Sequence, residues 1–281
     1  MKATVRLMLV VSGFLLSTGL ARAAGVGMVL DVTGSAQATV AGHGKDLDIA
    51  ASLEPGSHIN LRKDAELSFV FYPTRQQFTA KGPAAFQLSD KAVKQLQGAA
   101  MVSKPLPENR SAAALGFQDR VVPAALVMRA LVVKPTPIQP QDGETVLSER
   151  PEFAWASAAD EQLEFSLTLD GAVVHQQKIL GERLELPAGL SLASGRTYQW
   201  QIAYATGDKA TAKWGRFTVA STELRAQVQR DQPAAGATVS DWVLYAMELD
   251  QAQMKTQASI VWKQVADQRP ASHKLKDMAR P

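Results

Sequence analysis

The chain has 281 residues, no cysteine, and 30 basic against 27 acidic residues, for a net charge of +3. The lack of thiols excludes thiolate catalysis, cysteine-ligated zinc and a lipid carried on cysteine. The charges are interspersed and nearly balanced, which argues against the one-sided positive excess of a nucleic-acid binder.

Lys2 and Arg6 precede an apolar stretch over residues 7–20, and Ala21-Arg22-Ala23 then puts small residues at the two positions a signal peptidase reads. This order predicts a secretory signal peptide over residues 1–23. The stretch is shorter than the ~20 residues of a spanning helix. Cleavage removes Lys2, Arg6 and Arg22 and no acid, leaving a formally neutral chain, so the precursor's pI of about 9.1 says nothing of nucleic acid. The expectation is a periplasmic protein without membrane insertion.

Residues 24–134 read as a β-rich first domain. Val26, Met28 and Leu30 alternate with Gly27, Val29 and Asp31; Leu67, Phe69 and Phe71 alternate with Ser68, Val70 and Tyr72. Phe78 and Ala80 follow a Pro73-Thr74-Arg75 turn, and Phe86 and Leu88 close a further strand. Period two with Gly and Pro punctuation predicts half-buried antiparallel strands. Residues 92–96 read as either a turn or a strand, and the apolar 121–133 stretch as one more strand or a covering segment. Pro135, Pro137 and Pro140 favour extended chain and mark a boundary.

Residues 135–220 read as a second β-domain. Leu163, Phe165, Leu167 and Leu169 make a period-two face, and Asp170-Gly171 predicts a tight hairpin turn into Val173-Val174. Tyr198, Trp200 and Ile202 face one way in a later strand, and Phe217 and Val219 sit in the last. Short strands at this spacing predict a β-sandwich. Residues 221–281 read as a helical tail. Ser240-Asp241 offers a hydroxyl cap followed by an acid. Trp242, Tyr245, Ala246 and Leu249 share one face, Ala258, Trp262 and Val265 another, and Pro270 stops the second helix. Residues 223–232 are a candidate preceding helix, and the end from Ala271 is expected to fray. The fold class is thus mainly β with a C-terminal α-helical hairpin.

Three resemblances sit on these residues. Gly27-x-Val29 to Val32-x-Gly34, Leu53-Glu54-Pro55-Gly56-Ser57-His58-Ile59, Ala65-Glu66-Leu67-x-Phe69-x-Phe71 and Gly82-Pro83-Ala84-Ala85-Phe86-x-Leu88 resemble the periplasmic FecR-like domain. Ser57 stands where that family often has an acid, and Pro73-Thr74-Arg75 where it often turns on Asp-Gly. In the family's sensor proteins the domain lies outside a membrane helix and a cytoplasmic regulator of a sigma factor. Here only residues 1–6 precede the apolar stretch. The resemblance therefore implies an extracytoplasmic interaction domain without the transcriptional output.

Pro151-x-Phe153-x-Trp155 and Leu192-x-x-Gly195-x-x-Tyr198-x-Trp200 resemble a fibronectin type III or immunoglobulin-like sandwich with its tyrosine corner. Trp242, Tyr245, Ala246, Leu249, Ala258, Trp262, Val265 and Pro270 resemble one tetratricopeptide unit. One unit cannot bury its own faces. It must dock on the sandwich, on a partner or on another copy.

Catalytic constellations are not legible. His43, His58, His175 and His273 lie far apart, and none has a His or Cys at ligand spacing. Gly42-His43-Gly44-Lys45 lacks the hydroxyl and the helix of a phosphate loop and reads as a hairpin turn. No Gly-x-Ser-x-Gly occurs. Asp46 with Asp48, and Asp160 with Glu161, read as solvated loop charges, although two carboxylates are all that glycosidase chemistry needs. No catalytic residue, cofactor or metal is expected. The candidate interaction residues are Trp214, Arg216, Trp242, Tyr245 and Trp262. Trp214 beside Arg216 reads either as a half-buried edge-strand residue or as an interface anchor able to stack on a sugar. The expected function is non-catalytic binding of an envelope protein, in sensing or assembly. The alternative is binding of carbohydrate or peptidoglycan.

Overall fold

The computed structural model describes residues 25–106, 134–157, 161–206 and 212–279. The expected secretion signal, the 121–133 stretch and Asp160 lie outside them.

The first β-unit contains Gly27–Thr33 (β1), Ala36–Val40 (β2), His43–Asp46 (β3), Ser52–Leu53 (β4), His58–Leu61 (β5), Glu66–Phe71 (β6), Gln76–Lys81 (β7), Ala84–Leu88 (β8), Val93–Gln97 (β9) and Val102–Pro105 (β10). Two five-stranded antiparallel sheets result, in the orders β10-β7-β6-β1-β4 and β3-β2-β5-β8-β9. Residues 92–96, open between turn and strand, thus belong largely to a strand. Between the sheets, Phe69 stacks on Phe78 at 5.4 Å and on Phe86 at 5.3 Å. Lys45 of the glycine-rich tetrapeptide is an exposed strand residue, and the hairpin turns at Ala41-Gly42, both at positive φ.

The expectation of half-buried strands fails at β1 and β6. Met28, Val29 and Leu30 are all buried, as are Leu67, Ser68, Phe69 and Val70. Val29, Leu67 and Phe69 face the other sheet. Met28, Leu30 and Val70 join a second core built with the helices. Strict alternation marks a face left to water, and here the second face is covered as well.

The β-sandwich contains Thr136–Gln139 (β11), Glu144–Val146 (β12), Glu152–Ala156 (β13), Leu163–Leu169 (β14), Ala172–Ile179 (β15), Arg183–Glu185 (β16), Thr197–Tyr204 (β17) and Trp214–Val219 (β18). Its sheets run β11-β13-β16 and β12-β18-β17-β14-β15. The proline-dense segment supplies edge strand β11, where Pro137 is tolerated. Asp170 and Gly171 both take positive φ, as the hairpin turn requires. The tyrosine corner is formed: the Ala193 N–H donates to Tyr198 Oη at 2.8 Å, while the buried Tyr198 ring stacks on Phe217.

The helices are Thr222–Asp231 (α1), Val239–Gln251 (α2), Lys255–Gln268 (α3) and His273–Met278 (α4). Two expectations need correction. Thr238, not Ser240, caps α2: its hydroxyl accepts from the Asp241 N–H, and the Asp241 carboxylate accepts from the Thr238 N–H. Thr-x-x-Asp is the capping-box spacing, and it moves the start upstream. The end does not fray at Ala271. Ser272 caps α4, Leu275 is fully buried, and Lys274 Nζ donates to the Ala50 carbonyl at 2.6 Å.

The helical hairpin docks on the first β-unit. Val243, Ala246, Met247, Trp262 and Val265 share one core with Met28, Leu30, Ile49 and Val70. At the end of α3, Arg269 closes a bidentate ion pair on Asp31 of β1, at 2.8 and 2.7 Å. The sandwich holds the other end of α3. That helix has no side-chain cap of its own. Glu144, 1% exposed on β12, accepts from the Thr256 N–H at 2.8 Å, and through its second oxygen from the Gln141 N–H at 2.8 Å. Lys255 Nζ donates to the Asp142 carbonyl at 2.7 Å. Glu144→Ala orphans both N–H groups, and it is expected to cost about 1.5–3 kcal/mol in urea unfolding and to raise amide exchange at the start of α3.

Asp241 adds a pH dependence. Burial acts to raise its pKa, but the Thr238 hydrogen bonds and the Lys104 ammonium outweigh it and hold the carboxyl below the ordinary carboxylate range. A lowered pKa stabilises above the unfolded-state value, and that contribution is lost as pH falls through the folded one. The stability gap between the native chain and Asp241→Asn should therefore be full at neutral pH. It should close below about pH 4, as read by thermal unfolding across pH.

Candidate interaction surface

Strand β18 alternates strictly. Gly215, Phe217 and Val219 point inward, and Trp214 and Arg216 point outward. Gly215 is demanded by its neighbour, since a Cβ there would stand 2.6 Å from the indole nitrogen of Trp200. Cross-strand pairing sets the outer face. Trp214 opposes Gln201, Arg216 opposes Gln199, and Thr218 opposes Thr197. One strand further, Gln201 and Gln199 oppose Ser166 and Thr168. The result is a sheet face of hydroxyls and amides, Ser166 and Thr168 on it buried, with an indole and a guanidinium at one side. Trp214 is 50% exposed. The Arg216 backbone is pinned, its N–H donating to Asp142 Oδ1 and its carbonyl accepting from the Gly143 N–H. The Gln201 Oε1 is buried without a partner among the described residues.

The other three candidates are elsewhere, turned into the helix core. Trp262 is 1% exposed, and its indole N–H donates to Asp250 Oδ2 at 2.7 Å. Tyr245 is buried. Burial, and then the charges of Glu248 and Asp231, push its phenol above the ordinary value and keep it protonated. Trp242 is half-buried, edge-on to Tyr245 at 6.2 Å. Tyr245 and Trp262 therefore present no contact surface, because the face they lie on is consumed by docking. The structure brings Trp214 and Arg216 together on β18 and places Trp242, Tyr245 and Trp262 in the helices.

The remaining polar candidates are scattered. Asp46 accepts from Gln37, and Asp48 accepts from the Ile49 N–H. His43, His58 and His273 are exposed, and His175 meets Gln177 at 3.0 Å. Among the described residues no group of three or more His, Cys, Asp or Glu could hold a metal, and no helix is long and apolar enough to cross a membrane. Sequence reading missed the amide and hydroxyl row beside Trp214. Its one signal was the polar alternation Thr197-x-Gln199-x-Gln201 between core aromatics.

No protein-family model and no curated protein matches the chain. Among solved structures it is similar to a central fibronectin-III array of RIM-binding protein, at 10% identity and a TM-score of 0.23. The match covers 68% of this chain and 58% of that one, less than two thirds of the array's length. The sandwich is accordingly assigned on its own strand order and tyrosine corner.

Proposed function

We propose that this chain is a non-catalytic binding protein of the bacterial periplasm. It acts as an adaptor in envelope sensing or assembly, and it meets an envelope protein through the outer face of the sandwich. The observation that carries this reading is the half-exposed Trp214 beside Arg216 on the outer face of β18. Exposed Trp and Arg are the residue types that anchor protein contacts. The FecR-like pattern of the first β-unit and the secretion signal support the compartment. In this reading the tetratricopeptide-like hairpin is structural, a brace between the two β-units.

The test is crosslinking in living cells with a tagged copy of the chain. One dominant envelope protein should be captured, and Trp214→Ala with Arg216→Ala should reduce the yield at least tenfold. Stability should change by no more than about 0.5 kcal/mol, as for exposed positions. Undiminished capture by the double variant would move the contact elsewhere. Recovery of cell-wall material alone would favour a second reading, in which Trp214 stacks on a glycan and Gln199 and Gln201 hydrogen-bond its hydroxyls. Tryptophan fluorescence would then shift with cell-wall fragments.

A further inference from the structure

Strand β15 is the edge of the larger sandwich sheet, and at eight residues it is the longest edge strand among the described residues. The other edge strands have two to five residues. Folds keep free edges short or block them, because outward N–H and C=O groups invite another strand. The backbone of β15 pairs with β14 alone among the described residues. Half of its donors and acceptors therefore point away from the sheet.

The strand reads much the same in both directions. Ala172-Val173-Val174 is apolar, His175-Gln176-Gln177-Lys178 is polar, and Ile179-Leu180 is apolar again. Val173 and Leu180, at its two ends, are exposed large apolar side chains. Residues 175–179 pair with β14 in unbroken register, from Leu167 opposite His175 to Leu163 opposite Ile179. A bulge at Val174 ends this regular run and turns Val173 to the outer face, opposite Thr168. The regular run is centred on Gln177.

Laid antiparallel on a second copy about Gln177, the strand matches itself. His175 then opposes Ile179 of the other copy, and Gln176 opposes Lys178. Gln176 Nε2 donates to Glu164 on β14, which leaves the exposed Gln176 Oε1 as an acceptor. The exposed Lys178 ammonium supplies the donor. The two-fold makes this match twice and sets no like charges opposite one another. Past the ladder, Leu180 of each copy reaches Val173 of the other. We infer that the chain forms a two-fold dimer through antiparallel pairing of β15 with β15. The same patch serves both copies, so the assembly closes at two. It joins two five-stranded sheets into one, with a Trp214 and Arg216 pair toward each far side. The dimer stands whether or not the Trp214 face is a contact surface.

The test is sedimentation equilibrium of the full chain. A monomer–dimer equilibrium should appear below millimolar concentration. Leu180→Lys sets a cation against Val173 of the other copy and should raise the dissociation constant at least tenfold. Trp214→Ala should leave it unchanged. The chain has no cysteine, so Gln177→Cys can crosslink only between copies. At the two-fold axis the facing Cα atoms stand about 4.5–5.5 Å apart, within disulfide reach, and oxidation should give a covalent dimer. Ala172→Cys, at the end of the strand, should not. A chain that stays monomeric to millimolar concentration would overturn the inference. So would a dimer that survives Leu180→Lys or is lost with Trp214→Ala, or a Gln177→Cys chain that crosslinks no better than Ala172→Cys.

Discussion

Trp262→Ala is expected to destabilise the helices and the first β-unit together, by about 3–5 kcal/mol. The indole is 1% exposed, hydrogen-bonded to Asp250, and packed in the core that holds Met28, Leu30 and Val70. Truncation leaves a cavity that neither element closes alone. Hydrogen exchange should show it. Amides of β1 and β6 should lose protection along with those of α2 and α3, while β14 and β17 keep theirs. Protection lost only in the helices would mean that the shared core contributes little to the sheet.

The second large effect is expected in the sandwich. Phe153 is fully buried and meets Phe165 at 4.8 Å, Trp200 at 5.2 Å and Phe217 at 5.7 Å, each edge-on. It is the ring on which both sheets of the sandwich converge. Phe153→Ala should also cost about 3–5 kcal/mol, with the complementary exchange pattern: β14, β17 and β18 open, and β6 stays protected. Together the two variants ask whether the two cores melt as separate cooperative units. Coincident loss in both would show that the two cores are coupled across the junction where Glu144 accepts from the Thr256 N–H.

Local periodicity made much of this legible. The Leu163, Phe165 and Leu167 face, the Asp170-Gly171 turn and the Tyr198 corner each depend on neighbours in sequence or on one hydrogen bond of short span. The Trp242 to Val265 pattern likewise predicted a hairpin with one buried side. What was not legible depends on distant chain. The fate of that buried side required knowing that both faces of β1 are covered, whereas alternation alone turns Met28 and Leu30 inward and leaves Val29 facing water. Glu144 caps a helix 112 residues away, so its residue type reads as surface charge. Trp262 was misplaced for the same reason, since an aromatic at a repeat position is equally apt to meet a partner or its own chain. Gln77 carries no sequence signal at all. It is 4% exposed, and its amide donates to Ser68 on the neighbouring strand.

The ion pair between Asp31 and Arg269 spans 238 residues. A chain synthesised amino end first delivers β1 and β6 long before the helices that cover them. Until the last residues arrive, Met28, Leu30 and Val70 stand as an open apolar patch. Such a contact order slows completion of the fold and lengthens exposure to aggregation. Folding of this chain therefore has a waiting period written into its topology, during which a holding chaperone would find its substrate on β1 rather than on the sandwich.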